Sequence, residues 1–168
     1  MKSMGINLAT FRFSLITFLN NIFTGLKNVD VNVSELVMDH VCWRCESVEE
    51  YHGMISFLLK YGILFHQSIH NGREISLIQL NQALSFENRL IDLIELPAPK
   101  PSKPYRSGFE HAEFVIQNSL NDWIKEYPLR WDIKNINKKI NPNIRLSIGE
   151  SSVKFHPYSL AYVVKHLE

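Results

Sequence analysis

The sequence predicts an α+β fold made of two successive β-α-β-β-β modules, with an additional helix at each end of the chain. Three observations predict this fold. The same order of strand-like and helix-like segments occurs twice. A proline-rich run at 97–104, PAPKPSKP, separates the two copies, and proline cannot pair in the centre of a sheet because it has no N–H group. The first strand of each copy opens on an acid-histidine pair, Asp39-His40 and Glu110-His111.

These boundaries lead us to expect one domain over residues 1–168. A chain of 168 residues is long enough to bury one hydrophobic core. The two halves share element order and polar landmarks, with slight sequence identity. The expected parts are an N-terminal helix (1–29), a first module (30–97), a proline-rich linker (98–108) and a second module with the C-terminal helix (109–168).

The N-terminal helix is predicted from apolar residues that recur at spacings of three and four, which is the pattern of a single helix face. Thr10 is its predicted N-cap, and Gly25 lies near its predicted end. The polar face is rich in asparagine and lacks the basic residues of membrane-surface helices, so we expect the helix to pack on the sheet. The apolar residues are Phe11, Leu15, Phe18, Leu19, Ile22 and Leu26.

The first module begins with the alternating stretch DHVCWRC at 39–45, which is typical of a strand. Ser47 then opens an S-x-x-E capping box at the start of a helix, and Gly62 suits the C-terminal cap of that helix. Asn71-Gly72 is a strong hairpin signal. The three further predicted strands are 63–69, 73–80 and 89–97.

The second module repeats this order after the linker. EHAEFVI at 110–116 is its predicted first strand, and Ser119 caps a helix that Pro128 ends. The further predicted strands are 130–136, 143–148 and 151–157, and a terminal helix covers 160–167.

Composition excludes several classes of function. The net charge is +1, which does not favour nucleic acid or an acidic membrane as partner, and we interpret the slightly basic run 130–145 as a solvated connection. No stretch reaches the roughly 20 apolar residues of a membrane span. The apolar run at 13–19 is short, so we do not favour its interpretation as a signal peptide. Two cysteines, Cys42 and Cys45, are too few for a disulfide framework, so we expect structural cysteines and a cytoplasmic location.

Strand geometry predicts that both histidines of the acid-histidine pairs face the same side of the sheet. Side chains alternate between the faces of a strand, so His40 shares a face with Cys42 and Arg44. By the same rule His111 shares a face with Glu113. The opposite faces of both strands are apolar and should pack under the helices, which leaves the histidines on the concave side.

The last predicted strand of each module ends in another polar landmark, Glu95 in the first and His156 in the second. Imidazoles and a carboxylate suit a divalent cation such as zinc, iron, nickel or manganese. The alternative is a salt-bridged polar cavity in which Arg44 or Arg73 pairs with Glu95. If the modules pair, the groups that meet are His40, Glu95, His111 and His156.

Other polar residues near these landmarks are candidates for roles in binding and catalysis. Arg44 and Arg73 are the candidate substrate-binding residues, because a guanidinium binds carboxylate or phosphate through paired N–H groups. Glu113 is the candidate catalytic base, or a residue that orients an imidazole. For Lys154 we expect a surface ion pair.

Five segments are similar, in the same order, to signature segments of the YecM family of bacterial cytoplasmic proteins, over most of residues 30–160. They are DHVCWRC, NGREI, IELP, GFEHAEFV and VKFHPYS. The element order also resembles that of the vicinal oxygen chelate superfamily, the fold of glyoxalase, bleomycin-resistance and extradiol-dioxygenase proteins. That resemblance implies paired βαβββ modules and a metal bound from their first and last strands.

The resemblance implies His40, Glu95 and His111 as metal ligands, with His156 at a point where the superfamily often has a carboxylate. From these residues together with the resemblance, our first hypothesis is a metal-dependent enzyme that acts on a small anionic metabolite, with isomerase, lyase and oxidoreductase chemistry all open. A non-catalytic small-molecule binding or sequestration protein is the alternative on the same fold. Neither nucleic acid nor membrane is an expected partner, and monomer and homodimer are both left open.

Overall fold

In the computed structural model, the described residues are 6–103 and 105–167, and within them seven strands form one mixed sheet with four helices. The elements in chain order are α1 (Leu8–Asn28), β1 (Val37–Arg44), α2 (Val48–Leu58), β2 (Gly62–His70), β3 (Arg73–Phe86), β4 (Arg89–Pro97), β5 (Gly108–Val115), α3 (Leu120–Glu126), β6 (Ile144–Ile148), β7 (Ser151–His156) and α4 (Leu160–His166). No helix in these ranges has the length and apolarity needed to cross a membrane.

The two modules meet at the centre of the sheet, whose strand order is β2-β3-β4-β1-β5-β7-β6. The first strands of the modules, β1 and β5, pair with each other in antiparallel orientation. Each of them also pairs in parallel with the last strand of its own module, β1 with β4 and β5 with β7. The arrangement relates the halves by an approximate two-fold axis between β1 and β5.

The prediction of a strand at 130–136 is wrong. Among the described residues of this segment, only Asp132 makes a β-bridge, with Arg145. Hydrogen bonds of Asn135 explain the difference, because its backbone and side chain bond to Asn143 and this bonding competes with a ladder. The N–H of Asn143 donates to the carbonyl of Asn135 at 3.2 Å, and their side chains also hydrogen-bond. The second module is therefore β-α-β-β with one added bridge.

Helix α1 begins earlier than the sequence predicts. Its N-cap is Asn7, whose side chain accepts from the N–H of Thr10 at 3.0 Å, while the Thr10 hydroxyl accepts from the Asn7 N–H at 3.0 Å. Thr10 is thus the third helical residue of a reciprocal capping box and not the N-cap. For α2 the prediction is confirmed, since Ser47 accepts from the Glu50 N–H at 3.0 Å.

Two glycines are required by close approach of other elements. A Cβ at Gly25 would lie 2.2 Å from Cγ2 of Ile148, so the glycine lets α1 pack tightly against β6. Gly62 opens β2 and is not the helix cap, which is Leu59. A Cβ at Gly62 would lie 2.3 Å from the carbonyl oxygen of Gln79 on β3.

The apolar faces of β1 and β5 lie under α1, as predicted. The rings of Phe11 and Trp43 are 5.6 Å apart, and those of Phe23 and Phe114 are 6.0 Å apart. The opposite faces are buried as well, and His40 on that side is only 1% exposed. The sheet therefore encloses a polar interior on the side away from α1.

Candidate metal centre

Each acid-histidine pair forms an internal hydrogen bond. Oδ2 of Asp39 lies 2.9 Å from Nδ1 of His40, and Oε2 of Glu110 makes a short contact with Nδ1 of His111. A carboxylate that accepts from Nδ1–H fixes the ring and leaves a lone pair on Nε2. The sequence-based prediction assigned no role to the two acids, although the repeated dipeptide was the signal.

Two β-bulges explain how neighbouring residues of a strand reach the same side. In the β1–β5 ladder, Met38 pairs with Phe114 and the next pair is His40 with Glu113, so Asp39 is an extra residue. The second bulge lies at the symmetry-related point, where Glu110 is the extra residue between the partners of Cys42 and Trp43. A bulge redirects a side chain that regular alternation would send to the other face.

Four side chains from three strands converge beside these pairs, and each offers a ligand atom within 4.8 Å of the others. Nε2 of His40 lies 3.7 Å from Glu95 and 3.5 Å from Glu113. Nε2 of His111 lies 3.8 Å from Glu95 and 3.1 Å from Glu113. We call His40, Glu95, His111 and Glu113 the donor group.

The pairing of the strands explains this convergence. Glu95 of β4 lies beside Cys42 of β1 in parallel register, and His40 of β1 lies opposite Glu113 of β5. His111 lies opposite Cys42. Three neighbouring strands therefore present their polar side chains at the same level of one face.

The donor group fits a divalent cation. Ligands about 2.1 Å from an ion lie roughly 3.0–3.5 Å from each other, which is close to the spacings in this group. Nε2 of His40 is buried and has no hydrogen-bond partner among the described residues, and a buried polar atom without a partner is unfavourable unless a ligand satisfies it. Two imidazoles and two carboxylates match zinc, iron, nickel and manganese.

Electrostatic interactions favour the charged forms of His40 and of the two carboxylates in this group. Burial lowers the pKa of His40 most strongly, but Glu113 and Asp39 outweigh burial and raise it to about 10. Burial raises the pKa of Glu113, but the positive charges of Lys154 and His40 bring it well below its usual range. The carboxylates thus stay ionised and attract positive charge.

The expected surface ion pair of Lys154 is wrong, because its side chain points into the site and is only 22% exposed. Its Nζ donates to Oε1 of Glu113 at 2.7 Å and lies 3.1 Å from Nε2 of His111. The parallel pairing of β7 with β5 puts Lys154 beside Glu113. This position could not be predicted from the sequence because it depends on which strand β7 joins.

His156 lies next to the donor group. Its Nε2 is 3.1 Å from Oε2 of Glu113 and 3.5 Å from Oδ2 of Asp39, and it is buried with no hydrogen-bond partner among the described residues. Of the four predicted ligands, His40, Glu95 and His111 come together in the donor group. Glu113, which was predicted as the catalytic base, is the fourth member of the donor group.

The two predicted substrate-binding arginines lie on the same face of the sheet as the donor group. Arg44 donates through Nε to Glu110 at 3.3 Å and stacks on the ring of Tyr105 at 4.8 Å. Its Nη1 is buried and has no partner among the described residues. Arg73 donates to the carbonyl of Ala98 at 3.2 Å, and its pKa is lowered by burial and by the charge of Arg44. Arg44 therefore offers a donor for an anion.

Comparison with known proteins identifies relatives along the full chain. The family model described as YecM protein matches residues 7–166. An uncharacterized protein of Haemophilus influenzae is 30% identical over 181 aligned positions, which cover 95% of this chain and 95% of that protein.

Solved structures show the same fold. A structural genomics protein, EC4020, superposes with a TM-score of 0.83 at 22% identity, covering 100% of both chains. A variant of Streptomyces coelicolor methylmalonyl-CoA epimerase in complex with 2-nitronate-propionyl-CoA superposes with a TM-score of 0.53 at 12% identity, covering 74% of this chain and 99% of the epimerase. These likenesses confirm the predicted α+β class of the glyoxalase type.

Proposed function

The chain belongs to the YecM family, and we propose that it is a divalent-metal-dependent enzyme of the vicinal oxygen chelate type that acts on a small anionic metabolite. The observation that carries this proposal is the donor group, in which two imidazoles and two carboxylates from β1, β4 and β5 lie within 4.8 Å of one another. Buried groups of this kind and spacing are typical of metal centres. The fold shared with the epimerase supports the proposal.

The donor group would hold zinc, iron, nickel or manganese, with His156 beside it as a further ligand. When bound, such an ion supplies Lewis acidity toward substrate oxygens, which isomerases, lyases and oxidoreductases all use. Asp39 and Glu110 keep the imidazoles oriented through their Nδ1 atoms.

The chain's own residues supply binding and proton transfer. Arg44 binds the substrate anion through its unpartnered Nη1, and Arg73 adds positive charge nearby. Glu113 has two differently placed oxygens, since Oε1 faces Lys154 and the histidines of the donor group while Oε2 faces His156. We assign Oε2 as the atom that accepts a substrate proton.

Metal analysis of protein purified without chelators or a histidine tag tests this proposal. We expect about one equivalent of a transition metal, its loss in His40→Ala, and its retention in the matched control His52→Ala, whose side chain is exposed. Added cation should raise the melting temperature of the metal-depleted wild type and leave that of His40→Ala unchanged. Metal-free wild-type protein with no stabilisation by any of the four cations would refute the proposal. Anomalous scattering from untreated crystals would identify the ion.

Non-catalytic binding or sequestration of a small anion is the second candidate function. The observation that favours it is Lys154, whose ammonium already partly neutralises the donor group without a metal. In that case the protein would bind its ligand equally well after treatment with a chelator. Ligand binding measured by calorimetry with and without EDTA separates the two functions.

We also propose a cytoplasmic location. It is supported by Cys42 and Cys45, which are both buried and unpaired, as expected for a protein kept in a reducing compartment. Fractionation of cells that express the native chain would test it.

A further inference from the structure

The strand register shows which residue of the first module occupies the position equivalent to that of Lys154 in the second. In the first module, the residue beside Cys42, two positions after the histidine of β1, is Glu95. In the second module, the residue beside Glu113, two positions after the histidine of β5, is Lys154. Lys154 is therefore the counterpart of Glu95. A symmetric site would have a carboxylate here, and this chain has an ammonium.

The Lys154 ammonium uses the same ligand atoms that a metal needs. Nδ1 of His111 is engaged by Glu110, so the only lone pair of the neutral ring is on Nε2. Nζ of Lys154 lies 3.1 Å from that atom and 2.7 Å from Oε1 of Glu113. One lone pair cannot accept a hydrogen bond from an ammonium and coordinate a cation at the same time.

We propose that Lys154 is an internal competitor for the metal, a role that rests on the proposed function. Its ammonium occupies His111 Nε2 and Glu113 Oε1 when the site is metal-free, and it moves away when a divalent cation binds. The side chain is 22% exposed and so has a route toward solvent, and its four-carbon stem is flexible. Lys154 thereby neutralises buried carboxylate charge in the metal-free protein and limits the affinity of the site for cations.

Titration of metal-depleted protein with Mn²⁺ by calorimetry tests this role. Lys154→Met removes the charge and roughly keeps the length of the side chain. Because a competing positive charge is then absent, we expect the Kd for Mn²⁺ to fall about tenfold or more. Lys154→Glu restores the symmetric carboxylate and should tighten binding further. The matched control is Lys125→Met, at a lysine that is 79% exposed on α3, and its Kd should equal that of the wild type.

Chemical modification of the native chain provides a readout that does not depend on a folded variant. Reductive methylation of Lys154, followed by peptide mass spectrometry, should be slow without metal and several-fold faster with saturating Mn²⁺. Lys125 in the same digest should react equally in both conditions.

The outcomes separate this inference from the proposed function. Tighter binding by Lys154→Met together with metal-dependent methylation supports both. The competitor role is overturned if the wild type binds Mn²⁺ and Lys154→Met has an unchanged or higher Kd. It is also overturned if Mn²⁺ does not accelerate methylation of Lys154. Both outcomes are compatible with the metal site. Absence of Mn²⁺ binding in both wild type and Lys154→Met overturns the metal site and the competitor role together.

Discussion

At the residue scale, the site depends on pairs of neighbours. His40 and His111 are each held by the acid that precedes them, and a ring held in this way presents Nε2 with a fixed direction. Both histidines could be identified from the sequence, because they share faces with other polar residues under regular alternation. The orienting role of Asp39 and Glu110 could not, because the same rule sends their side chains to the opposite face.

Loss of the Asp39 charge should weaken metal binding without removing a ligand. Asp39→Asn keeps the shape of the side chain but weakens the hold on Nδ1 of His40. We expect a roughly 10- to 100-fold higher Kd for Mn²⁺ by calorimetry, the usual effect of changing a residue that orients a ligand. Asp92→Asn is the control, since Asp92 contacts Gln79 on the neighbouring strand. Equal Kd values for the two variants would argue against the orienting role.

At the element scale, the sequence predicted the cap of α2 and the first hairpin correctly, but not the N-cap of α1, the role of Gly62 or the segment 130–136. Ser47 caps α2 as predicted, and the Asn71-Gly72 turn has the positive φ angles of 51° and 74° that its hairpin requires. Gly62 resembled a helix cap, but the close approach of β3 determines that position. The strand expected at 130–136 does not form, because hydrogen bonds between Asn135 and Asn143 replace a ladder.

Gly62 should tolerate no side chain. Its Cβ would meet backbone of β3 at 2.3 Å, and backbone cannot rotate away, so Gly62→Ala should lower the free energy of unfolding by about 2 kcal/mol or more. Gly53→Ala, in helix α2, is the matched control, because a Cβ at this position would meet no described neighbour within 4 Å. That variant should gain about 0.5–1 kcal/mol from helix propensity. Urea denaturation of both variants measures the difference, and similar stabilities would contradict the close-packing account.

At the scale of the whole molecule, neither module holds the site by itself. His40 and Glu95 come from the first module, and His111 and Glu113 come from the second. The antiparallel pairing of β1 with β5 joins them. Charges of both signs are thereby buried together, and their ionisation is linked to folding.

Stability of the metal-depleted protein should peak in mildly acidic solution. The pKa values of Glu113 and Glu95 are lowered in the folded state from the usual 4.5, so the stability they contribute is present above that pH and is lost as pH falls. The pKa of His40 is raised from 6.5 to about 10, so its contribution is full below pH 6.5 and is lost as pH rises toward 10. Urea denaturation in EDTA from about pH 3 to about pH 10 measures the profile. A maximum above about pH 8 would contradict this charge assignment.

The sequence by itself determined the α+β class, the order of the elements through the first module, the helix N-cap at Ser47, the hairpin at Asn71-Gly72 and the shared face of the two histidines. Each of these depends on residues close together in the chain, through hydrogen bonds to nearby backbone or the alternation of a single strand. Tertiary structure alone decided the two bulges that redirect Asp39 and Glu110, the place of Glu113 in the donor group, and the position of Lys154 beside that group. These features depend on which strands pair and in what register, and pairing between distant segments is set by burial of the whole sheet.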